Sequence, residues 1–184
     1  MNVFKSKGII LGIKRKESEG DIYIFFSFEF GKILVQKNKK SREKSLDIWY
    51  IINCEIETDE KRTIHRIKNI KIKYEFNTQW KDFSLIFDFL WLIALIKKLT
   101  PDGLPIPEIY QVYSKLYKLK EITYSKLLLA KLKILNIHWL LWDSPKDIQI
   151  KKIVKFIREN NVEAIYRLQE FDTILIKKLQ NLLI

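Results

Sequence analysis

Basic side chains are where this sequence concentrates its chemistry. Lys37, Lys39, Lys40, Arg42 and Lys44 fall within eight positions with only Glu43 opposing them, and Lys61, Arg62, Arg66, Lys68, Lys71 and Lys73 fall within thirteen that hold no acid. Ammonium and guanidinium groups so clustered neutralise phosphates, and roughly five such contacts give a log–log salt slope of about −4. The chain around them has 184 residues, with 34 Lys and Arg against 22 Asp and Glu, and its formal charge of +12 favours polyanions such as nucleic acid or anionic lipid. Solubilising lysines in a chain rich in Ile and Lys are the plainer account. Trp49 weighs against it if its indole offers a plane on which a base stacks; the same ring could instead pack against the helical half of the protein.

Signals of bond-breaking chemistry are missing. No GxSxG, GxxxxGK(S/T) or HExxH occurs, and the five glycines lie singly, so no glycine-rich loop cradles a phosphate. Cys54, His65 and His138 are too few soft ligands for a transition-metal centre, and one cysteine allows no internal disulfide, which fits a reducing cytosol. No metal and no cofactor is expected. His65, between Arg62 and Arg66, reads as a solvated surface histidine, His138 as a helix-terminal histidine favoured by the macrodipole, and Cys54 as inert packing. Glu55 and Glu57 take the outward parity of their strand and would repel a phosphate backbone, which sends any nucleic acid to the other end of the sheet. Lys151, Lys152, Lys155, Arg158, Lys177 and Lys178 form a wetted helical face, or a basic groove for an acidic peptide tail.

The elements that must position these groups divide once. Up to about residue 75 the apolar pattern has period two, and after about Thr78 it is helical. Ile9, Leu11 and Ile13 share one face of a first strand, Ile22 to Phe28 is a second, and Lys32 to Gln36 a third. A long fourth strand places Leu46, Ile48, Tyr50, Ile52, Cys54 and Ile56 on one face and Trp49 on the other. In the last strand Ile67 is on odd parity but Ile70 and Ile72 on even, so a bulge is expected near Asn69. Five short-linked strands suit a closed barrel without exposed edges, an OB-fold by preference and an SH3-like barrel as the rival.

Helices are expected over Trp80 to Leu99, from Pro107 to about Lys118, over Tyr124 to Ile137, from a Ser144 cap to Arg158, and over Glu163 to Leu168 and Asp172 to Leu183. The apolar run Phe83 to Ile96 has 14 residues, short of the ~20 that span a bilayer, and reads as a helix buried on nearly all sides with the others around it. The apolar run Ile9 to Ile13 is likewise too short for the core of a secretory signal. The expected class is therefore α+β, with a five-stranded barrel domain over residues 1–76 and an all-helical domain over 77–184.

Lys7-Gly8-Ile9-Ile10-Leu11, the turn Glu17 to Asp21, the strand Ile22 to Ser27 and Glu29-Phe30-Gly31-Lys32 together resemble the opening of the RecO family of bacterial recombination mediators. That family follows with an Arg-Gly-Ala-Arg-Lys loop. Lys37-Asn38-Lys39-Lys40 stands in its place here, keeping the charge and replacing the glycine by Asn38, which tolerates a left-handed backbone. A looser similarity extends through Leu104 to Pro107 and Leu127 to His138; the four-cysteine zinc site of many relatives is absent from Trp139 to Pro145, and the helical region is short. The resemblance implies an N-terminal OB-fold that binds single- and double-stranded DNA and anneals complementary strands. It also implies cooperation with RecR in loading recombinase onto DNA coated by single-strand binding protein, whose acidic C-terminal tail is a further partner, and a cytoplasmic, nucleoid-associated location.

Lys37, Lys39, Lys40 and Arg42 are accordingly the expected principal phosphate contacts, Lys14, Arg15, Arg66 and Lys68 a second rank, and Trp49 a stacking candidate. No enzymatic activity and no membrane partner are expected. The competing class is a protein–protein adaptor whose helical domain takes an acidic peptide tail.

Overall fold

The alternating half of the chain forms five strands and the rest forms helices, an α+β arrangement. The computed structural model describes residues 2–14, 20–37, 45–58, 63–76, 82–141 and 147–183. Strands β1 (Asn2–Lys14), β2 (Ile22–Ser27), β3 (Gly31–Lys37), β4 (Ile51–Thr58) and β5 (Ile64–Tyr74) are followed by α1 (Phe83–Leu99), α2 (Pro107–Leu116), α3 (Tyr124–Ile137), α4 (Ile148–Glu159), α5 (Val162–Tyr166) and α6 (Thr173–Gln180), which ends in one 3₁₀ turn. Two compact units result, Met1–Gln79 with Ile96–Tyr110, and Trp80–Leu95 with Gln111–Ile184.

In the first unit β1 pairs antiparallel with both β2 and β4, β2 with β3 and β4 with β5, while β3 and β5 run parallel. The order β1-β2-β3-β5-β4 returns to β1, so each strand has a hydrogen-bonded neighbour on both sides. So short a sheet left open would present two unpaired edges. Ile10, Tyr23, Phe25, Val35, Leu46, Ile52, Cys54, Ile56 and Ile67 fill its core. All six residues of β2 are buried, so its outer face is covered as well.

The ladders shift register at three places, at Ile10/Gly12, Ile51/Ile52 and Asn53/Glu55, and the first and last of these bear on the parities expected from sequence. On β5, Asn53 opposes Lys71 and Glu55 opposes Lys68, so β5 carries one residue more than β4 over this stretch. Asn69 takes up the excess at φ 53°, its amide donating to Glu55 Oε2 at 2.8 Å, and Ile67, Ile70 and Ile72 all reach the core. This is the bulge expected from the parity slip. The shift at Ile10/Gly12 corrects the reading of β1: an extra residue between Ile10 and Gly12 puts Ile13 on the same core as Ile10, so Ile9, Leu11 and Ile13 do not share one face.

The long fourth strand is also corrected, because it starts only at Ile51. Asp47 turns the chain beforehand, its Oδ1 accepting from the Ile48 amide at 2.8 Å, and Trp49 adopts φ 75°. Trp49 then donates its amide to the Ile10 carbonyl and Ile10 donates to the Tyr50 carbonyl, both at 2.9 Å. Leu46 still reaches the core across this turn, which is why the alternation looked continuous.

Residues 96–110 belong to this same unit. The Gly103 amide donates to the Lys32 carbonyl at 2.9 Å, and Lys32 forms a parallel bridge with Asp102. Gly31 permits the approach: it lies at φ 70°, and a Cβ there would sit 2.2 Å from the Leu104 carbonyl oxygen.

In the second unit the most buried helix is α3, with Leu127, Leu128, Leu129, Ala130, Lys131, Leu132, Ile134 and Leu135 all inside. It packs on α4, α5 and α6. The helix expected at the centre, α1, buries only the stripe Leu85, Phe89, Leu92, Ile93 and Ile96, while Phe83 and Phe87 are 79% and 64% exposed. Apolar composition alone does not distinguish a central helix from one with a bare flank. Asp147 caps α4 by accepting from the Gln149 and Ile150 amides; the cap expected at Ser144 lies outside the described residues. No helix among the described residues is long and apolar enough to cross a membrane.

Candidate nucleic-acid interface

Of the cations singled out from sequence, Arg15, Lys39, Lys40, Arg42, Lys44, Lys61 and Arg62 lie outside the described residues. Lys37, the last residue of β3, shares the parity of the core residue Val35 and is itself buried at 8% exposure, so it is withdrawn from the surface expected to display it. Lys14, Arg66 and Lys68 are exposed. The sheet register joins two of them: Lys14 pairs with Ile22, Ile22 with Gln36 and Gln36 with Arg66, three strand spacings or about 14 Å along the sheet.

Lys68 is less available than its sequence neighbours suggested. Glu57 lies across the β4–β5 ladder and receives its ammonium at 2.6 Å, a hydrogen bond that holds the Glu57 carboxyl below, and the lysine above, its ordinary value. Arg66 is also in register with Glu57. The acid-free stretch of β5 thus meets its counter-charges on the neighbouring strand, which inspection of β5 alone does not reveal. Trp49 is corrected too: it sits in the turn before β4, half-buried, with its ring edge-to-face to Phe76 at 6.5 Å, rather than on the outer face of a strand.

The side chains that do converge line a cleft of about 650 Å³ within the first unit. Ile24 of β2 with Ile33 and Leu34 of β3 supply apolar surface, Lys14, Lys32 and Lys97 supply three ammonium groups, and Thr63, His65, Asp102 and Gly103 complete the lining. Lys14 ends β1, Lys32 is on β3, and Lys97 arrives from the last turn of α1. An apolar surface with a cationic rim suits a ligand with one greasy and one anionic part, as a nucleotide has in its base and phosphate.

Lys32, Lys97 and His65 were missed as site residues. Lys32 reads from sequence only as the start of the third strand, and Lys97 is 65 residues away in the chain, so no local window brings them together. Gly31 was the available signal, since a glycine at left-handed φ marks close approach of another segment. His65 is not a solvated histidine, because its Nδ1 is buried and has no hydrogen-bond partner among the described residues. His138 likewise buries Nε2, and burial pulls its pKa down, against the macrodipole effect expected at that helix end.

A second cleft, of about 790 Å³, is lined by Lys5, Lys7 and Lys71 but also by Glu29 and Glu55. Glu29 Oε2 accepts from the Ser6 hydroxyl at 2.6 Å and from the Ser27 hydroxyl at 3.3 Å. Burial, then Glu29 and Glu55, push the neighbouring Cys54 thiol up to about 12, as suits inert packing. Its mixed charge makes this cleft the poorer site for a polyanion. Among the described residues no three His, Cys, Asp or Glu side chains come together as a metal site. In comparisons with known proteins, no family model matches the chain, and no curated protein shows significant similarity to it.

Proposed function

We propose that this protein is a DNA-binding mediator of recombination and repair, of the kind the N-terminal resemblance to RecO suggests. Its sheet is an OB-fold barrel whose cationic cleft, beside β3 and the end of β1, holds single- or double-stranded DNA; the protein anneals complementary strands and, with RecR, helps load recombinase onto DNA coated by single-strand binding protein. The observation that carries this reading is the convergence of Lys14, Lys32 and Lys97 around Ile24, Ile33 and Leu34. In an OB-fold the oligonucleotide face lies over strands two and three, between the loops that follow strands one and four. The cleft draws on β2 and β3, on Lys14 at the end of β1 and on Thr63 just after the β4–β5 connection. The parallel closure of β3 onto β5 supports the same assignment.

Physically, annealing requires cations that neutralise phosphate chains without reading base edges, and lysines are suited to that. Replacing Lys14, Lys32 and Lys97 together by alanine is expected to weaken binding of a single-stranded oligonucleotide roughly tenfold at low salt, measured by fluorescence anisotropy. An unchanged titration refutes the cleft as the interface. Absence of any DNA binding by the wild-type protein leaves the adaptor reading, which draws on Phe83 and Phe87 exposed one turn apart and on Trp139 at 94% exposure.

A further inference from the structure

The cationic cleft contains one carboxylate among its lining residues, that of Asp102, and it sits on one of the three ammonium groups. Lys32 Nζ lies 3.2 Å from Asp102 Oδ1 and donates to the Lys97 carbonyl at 3.1 Å. Backbone contacts hold the main chain of this segment beside Lys32. Asp102 bridges Lys32 in parallel register, the Gly103 amide donates to the Lys32 carbonyl at 2.9 Å, and the Leu104 carbonyl rests against Gly31. The lysine side chain is 18% exposed and the aspartate 88%, so the acid can swing into water while the lysine stays in the cleft. Lys14 and Lys97 have no carboxylate partner among the described residues.

We infer that Asp102 is an internal competitor for the phosphate site on Lys32 and thereby selects polymeric anions over single ones. The inference rests on the nucleic-acid reading above. A lone phosphate monoester arriving at Lys32 exchanges one anion for another and gains little. A polynucleotide displaces the same carboxylate while its neighbouring phosphates reach Lys14 and Lys97, and an exposed ion pair is weak enough to be displaced in this way.

The test is Asp102→Asn, which keeps the shape of the side chain and an acceptor oxygen but removes the charge. Against a short oligothymidylate, affinity is expected to rise roughly threefold and the log–log salt slope to steepen by about 0.7, the increment for one more phosphate on a single strand. Thymidine monophosphate is expected to bind the variant and to show no measurable binding to the wild-type protein. In Asp102→Asn combined with Lys32→Ala the gain should vanish. A gain that persists without Lys32 overturns the inference, because it then reflects net charge alone. Wild-type binding with no change in affinity or slope in Asp102→Asn also overturns it and leaves the nucleic-acid reading intact; no binding by either protein removes both.

Discussion

Lys131 shows how a single residue reports its surroundings. Its side chain is 2% exposed inside α3, its ammonium is paired with Asp88, and it lies 4.2 Å above the Trp91 ring. Burial lowers its pKa below the ordinary lysine value of 10.5, and Asp88 opposes the shift without cancelling it. The folded protein therefore holds this proton less tightly than the unfolded chain. Between the lowered value and 10.5 the unfolded chain binds more protons, so stability should increase with pH across that window. Urea denaturation near neutrality and at increasingly alkaline pH should show wild type gaining stability relative to Lys131→Met, a difference that separates this proton from the Cys54 thiol, whose raised value acts with the opposite sign in both proteins. In Asp88→Asn, which strands the ammonium, a loss of about 2–3 kcal/mol is expected near neutrality. Equal slopes for wild type and Lys131→Met would sink the assignment. None of this was legible beforehand: Lys131 sat among Lys126 and Lys133 as one of three cations between leucines, and only the packing of α1 residues 88 and 91 sets it apart.

Elements were readable where polarity alternates and obscure where it does not. The β5 bulge could be found because Lys and Asn separate Ile67 from Ile70, so a change of parity is visible. The β1 bulge could not, since Ile9, Ile10 and Leu11 are all apolar and either register buries something. Asn69, at φ 53°, gives the visible bulge a direct test. A β-branched residue is strained there, so Asn69→Val should cost about 1–2 kcal/mol, while Asn69→Gly should lose less than about 1 kcal/mol with its side-chain bond to Glu55. If the two variants unfold at the same urea concentration, the left-handed conformation is not what holds the bulge. The same contrast explains the helices: α3 spans the expected Tyr124 to Ile137, with polar boundaries at Thr123 and His138, whereas the burial of α1 was over-read from a run that is apolar on every side.

At the scale of the whole molecule the charge of +12 sets the salt dependence of any polyanion contact. Lys14 and Lys97, the two cleft lysines without a described carboxylate partner, account for a slope of about −1.4 on a single strand, at about −0.7 each, while Lys32 is offset by Asp102. The log–log plot for wild type should be steeper than that, with the basic stretch over residues 38–44 adding to it, and the triple alanine variant should be shallower by about 1.4. Parallel plots for the two proteins would mean that phosphates are neutralised elsewhere. By itself the amino-acid sequence determined the division into five strands and a helical remainder, the inward parity of Ile52, Cys54 and Ile56, and the excess of positive charge, because each of these is a local property of composition or period. Which cations meet was decided only by tertiary structure. Lys97 comes to Lys32 through the contacts of Gly31 and Gly103, Lys68 is neutralised by Glu57 from the next strand, and Lys37 turns inward. A charge acts through its distances in space, and spacing along the chain leaves those distances open until the sheet has closed and residues 96–110 have packed onto it.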